Sequence, residues 1–124
     1  MKNEKHKEVA LRFMREFLEE HNIESLDDLL GPSYTQHNPL IKDGKEGLIG
    51  FFQEYWKQYH PTYDIQRVIA ENDLVAIHYH YRRNEGDDGL AIVDIFRLEN
   101  GKLVEHWDVC QPIPKNSQNE HPMF

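Results

Sequence analysis

The sequence predicts an α+β domain in which helices come first and cover one face of a curved antiparallel sheet that follows. Two observations carry that expectation. Up to about Tyr59 the apolar residues recur at helical spacing, and from Thr62 onward they alternate with period two. A third observation bounds it: 124 residues, 39% hydrophobic and 29% charged, fit one soluble domain over 1–124 with a polar tail from about 113 to 124.

Residues 4–20, "EKHKEVALRFMREFLEE", put Val9, Ala10, Phe13, Met14, Phe17 and Leu18 on one face and charges on the other, which predicts an amphipathic helix. "SLDDLLGP" predicts a short second helix, with Ser25 as N-cap and Gly31-Pro32 as its stop. "SYTQHNP" runs extended, because Pro39 disfavours helix at Asn38. From Gly44 to about Tyr59 the helical period returns with Leu48, Ile49, Phe52, Tyr55, Trp56 and Tyr59, and Pro61 ends it. "YDIQRVIA", "LVAIHYHYR", "LAIVDIFRL" and "KLVEHWDVC" then read as four strands. In the tail, Met123 and Phe124 suit an apolar anchor.

Composition narrows the function classes. A net charge of −8 without a basic cluster argues against nucleic acid. No apolar run is long enough to span a bilayer, and "MKNEKHKEVA" lacks the apolar stretch of a secretory signal. The single cysteine, Cys110, forms no internal disulfide, in keeping with a reducing cytoplasm. Of the eight histidines, His6 and His21 fall in a polar helix and read as solvated.

The last two strands hold the unusual residues. Side chains of a strand alternate, so Leu90, Ile92, Asp94, Phe96 and Leu98 share a face, as do Val104, His106, Asp108 and Cys110. "LENGK" suits a three-residue loop with Gly101 in a bulge, which pairs Asp94 with His106 and Ile92 with Asp108; a two-residue Asn-Gly turn would put Asp94 beside Trp107 instead. The three-residue loop is favoured here. In the second strand His78 and His80 share a parity, and antiparallel pairing brings one of them beside Asp94. Several ionisable groups then converge among Leu90, Ile92 and Phe96, the mixture expected of a cavity wall. Val75, Ile77, Tyr79, Tyr81 and Trp107 are left for the opposite face, as a dimer surface.

"YTQHNP", "KEGLIGFF" and "GLAIVDIFRLENGKLVEHWDVCQP" together resemble the SnoaL-like family of the cystatin-like cone, or nuclear transport factor 2-like, superfamily. More narrowly they resemble its bacterial branch of predicted aldol-condensation enzymes, across nearly the whole chain. The resemblance implies a cone-shaped, mostly antiparallel sheet closed by three helices around a pocket, and a homodimer through the outer sheet face. It also implies an aspartate acting as general acid/base in polyketide cyclisation without metal or cofactor. That aspartate matches Asp108; a polar cavity residue matches Asp94, and the "QHN" histidine matches His37. The chain is shorter than those cyclases and shows no segment matching their large aromatic-polyketide pocket.

Abstracting a proton beside a carbonyl needs a base and a group to stabilise the enolate oxygen. The reading assigns Asp108 as base, His106 as its orienting partner, and Asp94, His37 and His80 as contacts to substrate oxygen. Asp94 and Asp108 would take different protonation states, separating acid from base. His78 is a further substrate contact, and Tyr34 and Trp56 are candidate walls. Cys110 is set aside as nucleophile, since neighbouring carboxylates disfavour its thiolate. Two other classes stay open: a non-catalytic module that binds a small molecule, and a metal site of His78 and His80 with Asp94 or His106.

Overall fold

The computed structural model describes residues 1–124. Helix α1 (Lys2–Arg12) runs on as a π-helical segment, Phe13–Glu19, whose wider turns bury Phe13, Met14, Phe17 and Leu18 together. The predicted helix is therefore present, with its C-terminal half adapted to present four apolar residues to the sheet. A 3₁₀ turn, Ile23–Ser25, leads into the four-residue α2 (Leu26–Leu29). Ser25 does not cap α2: its backbone is already helical, and its hydroxyl donates back to the Asn22 carbonyl at 2.6 Å.

α2 ends just before Gly31-Pro32, as predicted, and these two residues lie inside strand β1 (Leu30–Gln36). The sheet order is β1-β5-β4-β3-β2, which makes β1 an edge, and an edge tolerates the missing N–H of proline. β1 runs parallel to β5, and Gly31 lets them approach: a Cβ there would stand 2.6 Å from Val104 Cγ1. Helix α3 (Gly44–Gln58) follows, and then β2 (Thr62–Glu71), β3 (Leu74–Arg82), β4 (Leu90–Glu99) and β5 (Lys102–Pro112), all antiparallel neighbours. The α+β expectation holds, with a fifth strand that makes the sheet mixed. The sheet is curved and open, and helices cover its inner face.

The core fills that concavity. Phe17, Phe96, Met14, Leu26 and Ile77 are wholly buried, each such side chain stabilising the fold by about 1.5–3 kcal/mol. Phe13 packs edge-on against Phe96, tying the π-helical segment to β4.

The β4–β5 hairpin departs from the favoured loop in an instructive way. Asn100 (φ 51°) and Gly101 (φ 77°) are both left-handed, the two-residue turn that Asn-Gly prefers, and Glu99 pairs with Lys102. Left alone, that register would place His106 and Asp108 on the wrong face from Asp94. A bulge at Val104 corrects it: Leu98 pairs with Leu103 but Arg97 with Glu105, so Asp94 faces Asp108 and Phe96 faces His106. Leu103 and Val104 are consecutively buried, as a bulge allows.

Candidate active site

The inner faces of β4 and β5 converge on a cavity of about 200 Å³ that is lined mostly by aromatic and aliphatic side chains. Asp94, His106 and Asp108 lie together in its wall. His106 Nε2 is 3.0 Å from Asp94 Oδ1 and 3.9 Å from Asp108 Oδ2. The other ring nitrogen, Nδ1, meets Gln36 Oε1 at 2.7 Å. That Gln36 oxygen also accepts the backbone N–H of Asn38 at 3.0 Å, which fixes the orientation of the amide. His106 Nδ1 must therefore be the donor, and Nε2 faces a second acceptor in Asp94. One proton is shared along the Nε2–Oδ1 line.

Each carboxylate has a further donor. The Tyr79 hydroxyl donates to Asp94 Oδ2 at 2.8 Å, and the Asn38 amide donates to Asp108 Oδ2 at 2.8 Å. Asp108 Oδ1 receives no hydrogen bond from the protein. Tyr34 stacks parallel to His106 at 6.5 Å, and burial, reinforced by Asp94 and Asp108, holds its ionisation well above the ordinary value. Burial, and then Asp94 through its charge and its hydrogen bond, hold the Tyr79 hydroxyl up in the same way. Both hydroxyls therefore stay protonated at neutral pH. Burial first, then Asp108 and Asp94, push the Cys110 thiol up to about 11, the direction expected and unfavourable to a nucleophile.

Of the residues predicted for the site, Asp94, His106, Asp108 and Tyr34 meet in the cavity; four others lie elsewhere. His37 points to the outer face, where Nε2 meets Glu105 Oε2 at 2.7 Å and the ring stacks on Trp107 at 4.8 Å. β3 is phased opposite to expectation. Val75, Ile77, Tyr79 and Tyr81 face inward, and Ile77, not a histidine, pairs with Asp94. His78 and His80 are therefore on the outer face. His78 Nδ1 lies 2.9 Å from Arg67, His80 Nε2 lies 2.8 Å from the Asp88 carbonyl, and Phe124 of the tail stacks on both rings. Trp56 packs between Phe17, Phe52 and His21, away from the cavity. His21 is thus stacked on Trp56 rather than solvated, and His6 is buried.

These positions change the metal question. The ligand set His78–His80 with Asp94 is split across two faces of the sheet. The donors that could hold a cation are those of Asp94, His106 and Asp108, all within 4.8 Å of one another. The sequence reading missed Gln36, Asn38 and Tyr79. The signal for the first two was available: Tyr34, Gln36 and Asn38 share one parity along an extended segment and His37 has the other.

Comparison with solved structures finds the same fold at low identity. A candidate ketosteroid isomerase from Kribbella flavida superposes with a TM-score of 0.75 at 18% identity, covering 96% of this chain and 84% of that one. A candidate polyketide cyclase from Acidithiobacillus ferrooxidans gives 0.71 at 21%, covering 86% and 87%. An NTF2-like protein of unknown function from Mesorhizobium loti gives 0.73 at 18%, covering 90% and 94%. No curated protein matches the chain. The family model for the SnoaL-like domain matches residues 10–106, from the buried face of α1 to His106. With that much of its length matched, including β1, β4 and the start of β5, the chain belongs to the SnoaL-like domain family.

Proposed function

We propose that this protein is an enzyme that works without a cofactor and performs general acid/base chemistry on a small carbonyl compound through an enolate, in an aldol-type cyclisation or condensation or an isomerisation. The observation that carries the reading is the Asp94–His106–Asp108 cluster, held by five polar contacts inside an otherwise apolar cavity. Asp108 Oδ1 is the base. It takes a proton from the carbon beside the carbonyl; the C–H pair becomes the C=C bond, and the carbonyl π pair moves to oxygen. The Tyr34 hydroxyl is the donor for that oxygen, because it is protonated and opens on the cavity. In isomerisation the proton returns to another carbon. In an aldol step the enolate carbon attacks a second carbonyl, and its new alkoxide takes the proton shared by His106 and Asp94. A cavity of about 200 Å³ lies below the ~300–1,000 Å³ of pockets for drug-sized ligands, which favours a small substrate.

Thermal-shift titration with planar phenols and 1,3-dicarbonyl compounds, mimics of an enol, tests this. A mimic at ~100 times its Kd adds about 2.7 kcal/mol to stability. Saturable stabilisation whose pH dependence is lost in Asp108→Asn supports proton transfer at this cavity. Stabilisation indifferent to that substitution turns the reading into a non-catalytic binding module. No response to any mimic removes the enolate reading.

The assembly belongs to the same proposal: a cytoplasmic homodimer through the outer sheet face. The surface that supports it differs from the one expected, since only Trp107 of the predicted set faces outward. A row across the sheet, Ile69–Ala76–Ile95–Trp107, and the neighbouring Val93 and Val109 form the apolar patch, with Ile69 62% and Val109 68% exposed. No helix is long and apolar enough to cross a membrane.

A further inference from the structure

The inner face of the sheet has an order. From the acid/base cluster at Asp94 and Asp108, the cross-strand pairs step through Ile92–Cys110 and Tyr79–Ile92 to Leu90 and Tyr81. Arg83, at the same parity just past the end of β3, comes next, and it lines the cavity. From Ile77, the partner of Asp94, to Arg83 is roughly 20 Å of strand at about 3.3 Å per residue. The cavity thus has carboxylates at one end and a guanidinium at the other, with Tyr79, Tyr81, Tyr55 and Phe51 between.

Arg83 is the one fixed positive charge lining this cavity. Its guanidinium makes no salt bridge, unlike those of Arg12, Arg15 and Arg97. The nearby Asp87 accepts two backbone N–H groups, those of Arg83 and Gly89, each at 3.2 Å, and makes no salt bridge to the guanidinium. Aromatic groups hold the side chain: the guanidinium lies 5.0 Å from the centroid of the Tyr59 ring. A hydrogen bond with the Tyr55 hydroxyl, itself bonded to that of Tyr81, is the chief cause that raises its pKa. A planar fork positioned by aromatic rings and lacking an anion is suited to bind a carboxylate through two parallel hydrogen bonds.

We propose that Arg83 is the anion-binding end of the cavity and that the substrate is a small keto acid, its carboxylate on Arg83 and its reacting carbonyl at Asp108 and Tyr34. The inference rests on the acid/base reading for the carbonyl end and adds the chemistry of the other. The carboxylate fixes which end of the molecule enters first and sets the distance to the carbon that loses its proton. Arg83 is a specificity residue and takes no part in the proton transfer.

The test uses one phenol in two forms, 4-(4-hydroxyphenyl)butanoate and its methyl ester, with dissociation constants measured by calorimetry on wild type, Arg83→Gln and Arg83→Lys. The carboxylate is expected to bind wild type about tenfold more tightly than the ester. Arg83→Gln should erase that difference while leaving the ester unchanged, and Arg83→Lys should retain part of it. Because Arg83 is exposed, neither variant threatens folding, and unchanged ester binding verifies it. Equal binding of both forms to wild type, with Asp108→Asn weakening both, overturns the role of Arg83 and leaves the acid/base reading in place. Failure of both forms to bind wild type overturns both.

Discussion

His106 on the inner face of the sheet and His80 on its outer face both use Nε2 in a hydrogen bond, at 3.0 Å and 2.8 Å, yet they sit in different chemistry. His80 meets a backbone carbonyl and lies under the ring of Phe124 on the outer face of the sheet. His106 is buried between Gln36 and the Asp94 carboxylate, with a second carboxylate beside it. A histidine beside an acceptor is common and structural. One whose two nitrogens both meet side-chain acceptors, inside an apolar cavity, is held from both ends. What distinguishes the inner cluster is the convergence of buried polar side chains on one another inside an apolar cavity.

Removing each ring separates the two faces by stability. His106→Ala leaves Asp94 buried with only Tyr79 as donor, and breaking a buried pair from one side costs roughly 3–5 kcal/mol. His80→Ala removes a half-exposed ring and should cost no more than about 1 kcal/mol. Urea denaturation of the two variants measures both. Equal losses would mean that the inner cluster is no more tightly integrated than the outer face.

A smaller effect is expected where β1 meets β5, since that contact holds Gln36 and Asn38 against the cluster. Gly31→Ala drives a Cβ to 2.6 Å from Val104 Cγ1, and overpacking of this kind costs about 1–3 kcal/mol. The double variant Gly31→Ala with Val104→Ala should recover part of that, because the clash is with one side chain. If the single variant is neutral, β1 does not need the close approach, and the placement of Gln36 has another cause.

How much of this was legible in the sequence follows from periodicity. The inward set of β4, with Asp94 among Leu90, Ile92, Phe96 and Leu98, alternates cleanly and was read correctly. β3 could not be phased that way, because Leu74 and Ala76 are apolar as well as Val75 and Ile77, so either face could have been the buried one. The structure resolves it through the aromatic residues, with Tyr79 and Tyr81 needed inside as donors and walls. In β5 the facing of His106 and Asp108 was right for a mistaken reason. The turn is the two-residue Asn100-Gly101 form, and only the Val104 bulge restores the parity. A bulge leaves little local signature, since Leu103-Val104 reads like any pair of apolar strand residues. His37 enters through the family resemblance and not through parity, and Gln36 and Asn38 on either side carry the contacts.

The least of the expected effects concerns that outer pair of His37 and Glu105. Hydrogen bonds from His37 first and Arg97 second hold the Glu105 carboxyl below its ordinary value of 4.5. A folded pKa below the unfolded one means that the stabilisation is fully present above the unfolded value and is lost as pH falls through the folded one. Wild type should therefore lose stability below about pH 4.5 more steeply than Glu105→Gln, and the two should run parallel above it. Because this network faces solvent, the difference should be small and should shrink further in high salt, where screening weakens exposed pairs. Urea midpoints from pH 6 to pH 3, at low and high salt, decide it. Parallel curves across the whole range would show that His37 and Arg97 favour the ionised carboxylate no more in the folded chain than water does in the unfolded one. The outer histidine would then be stacking on Trp107 and nothing more, in contrast to His106, whose ring and whose partner Asp94 are both buried.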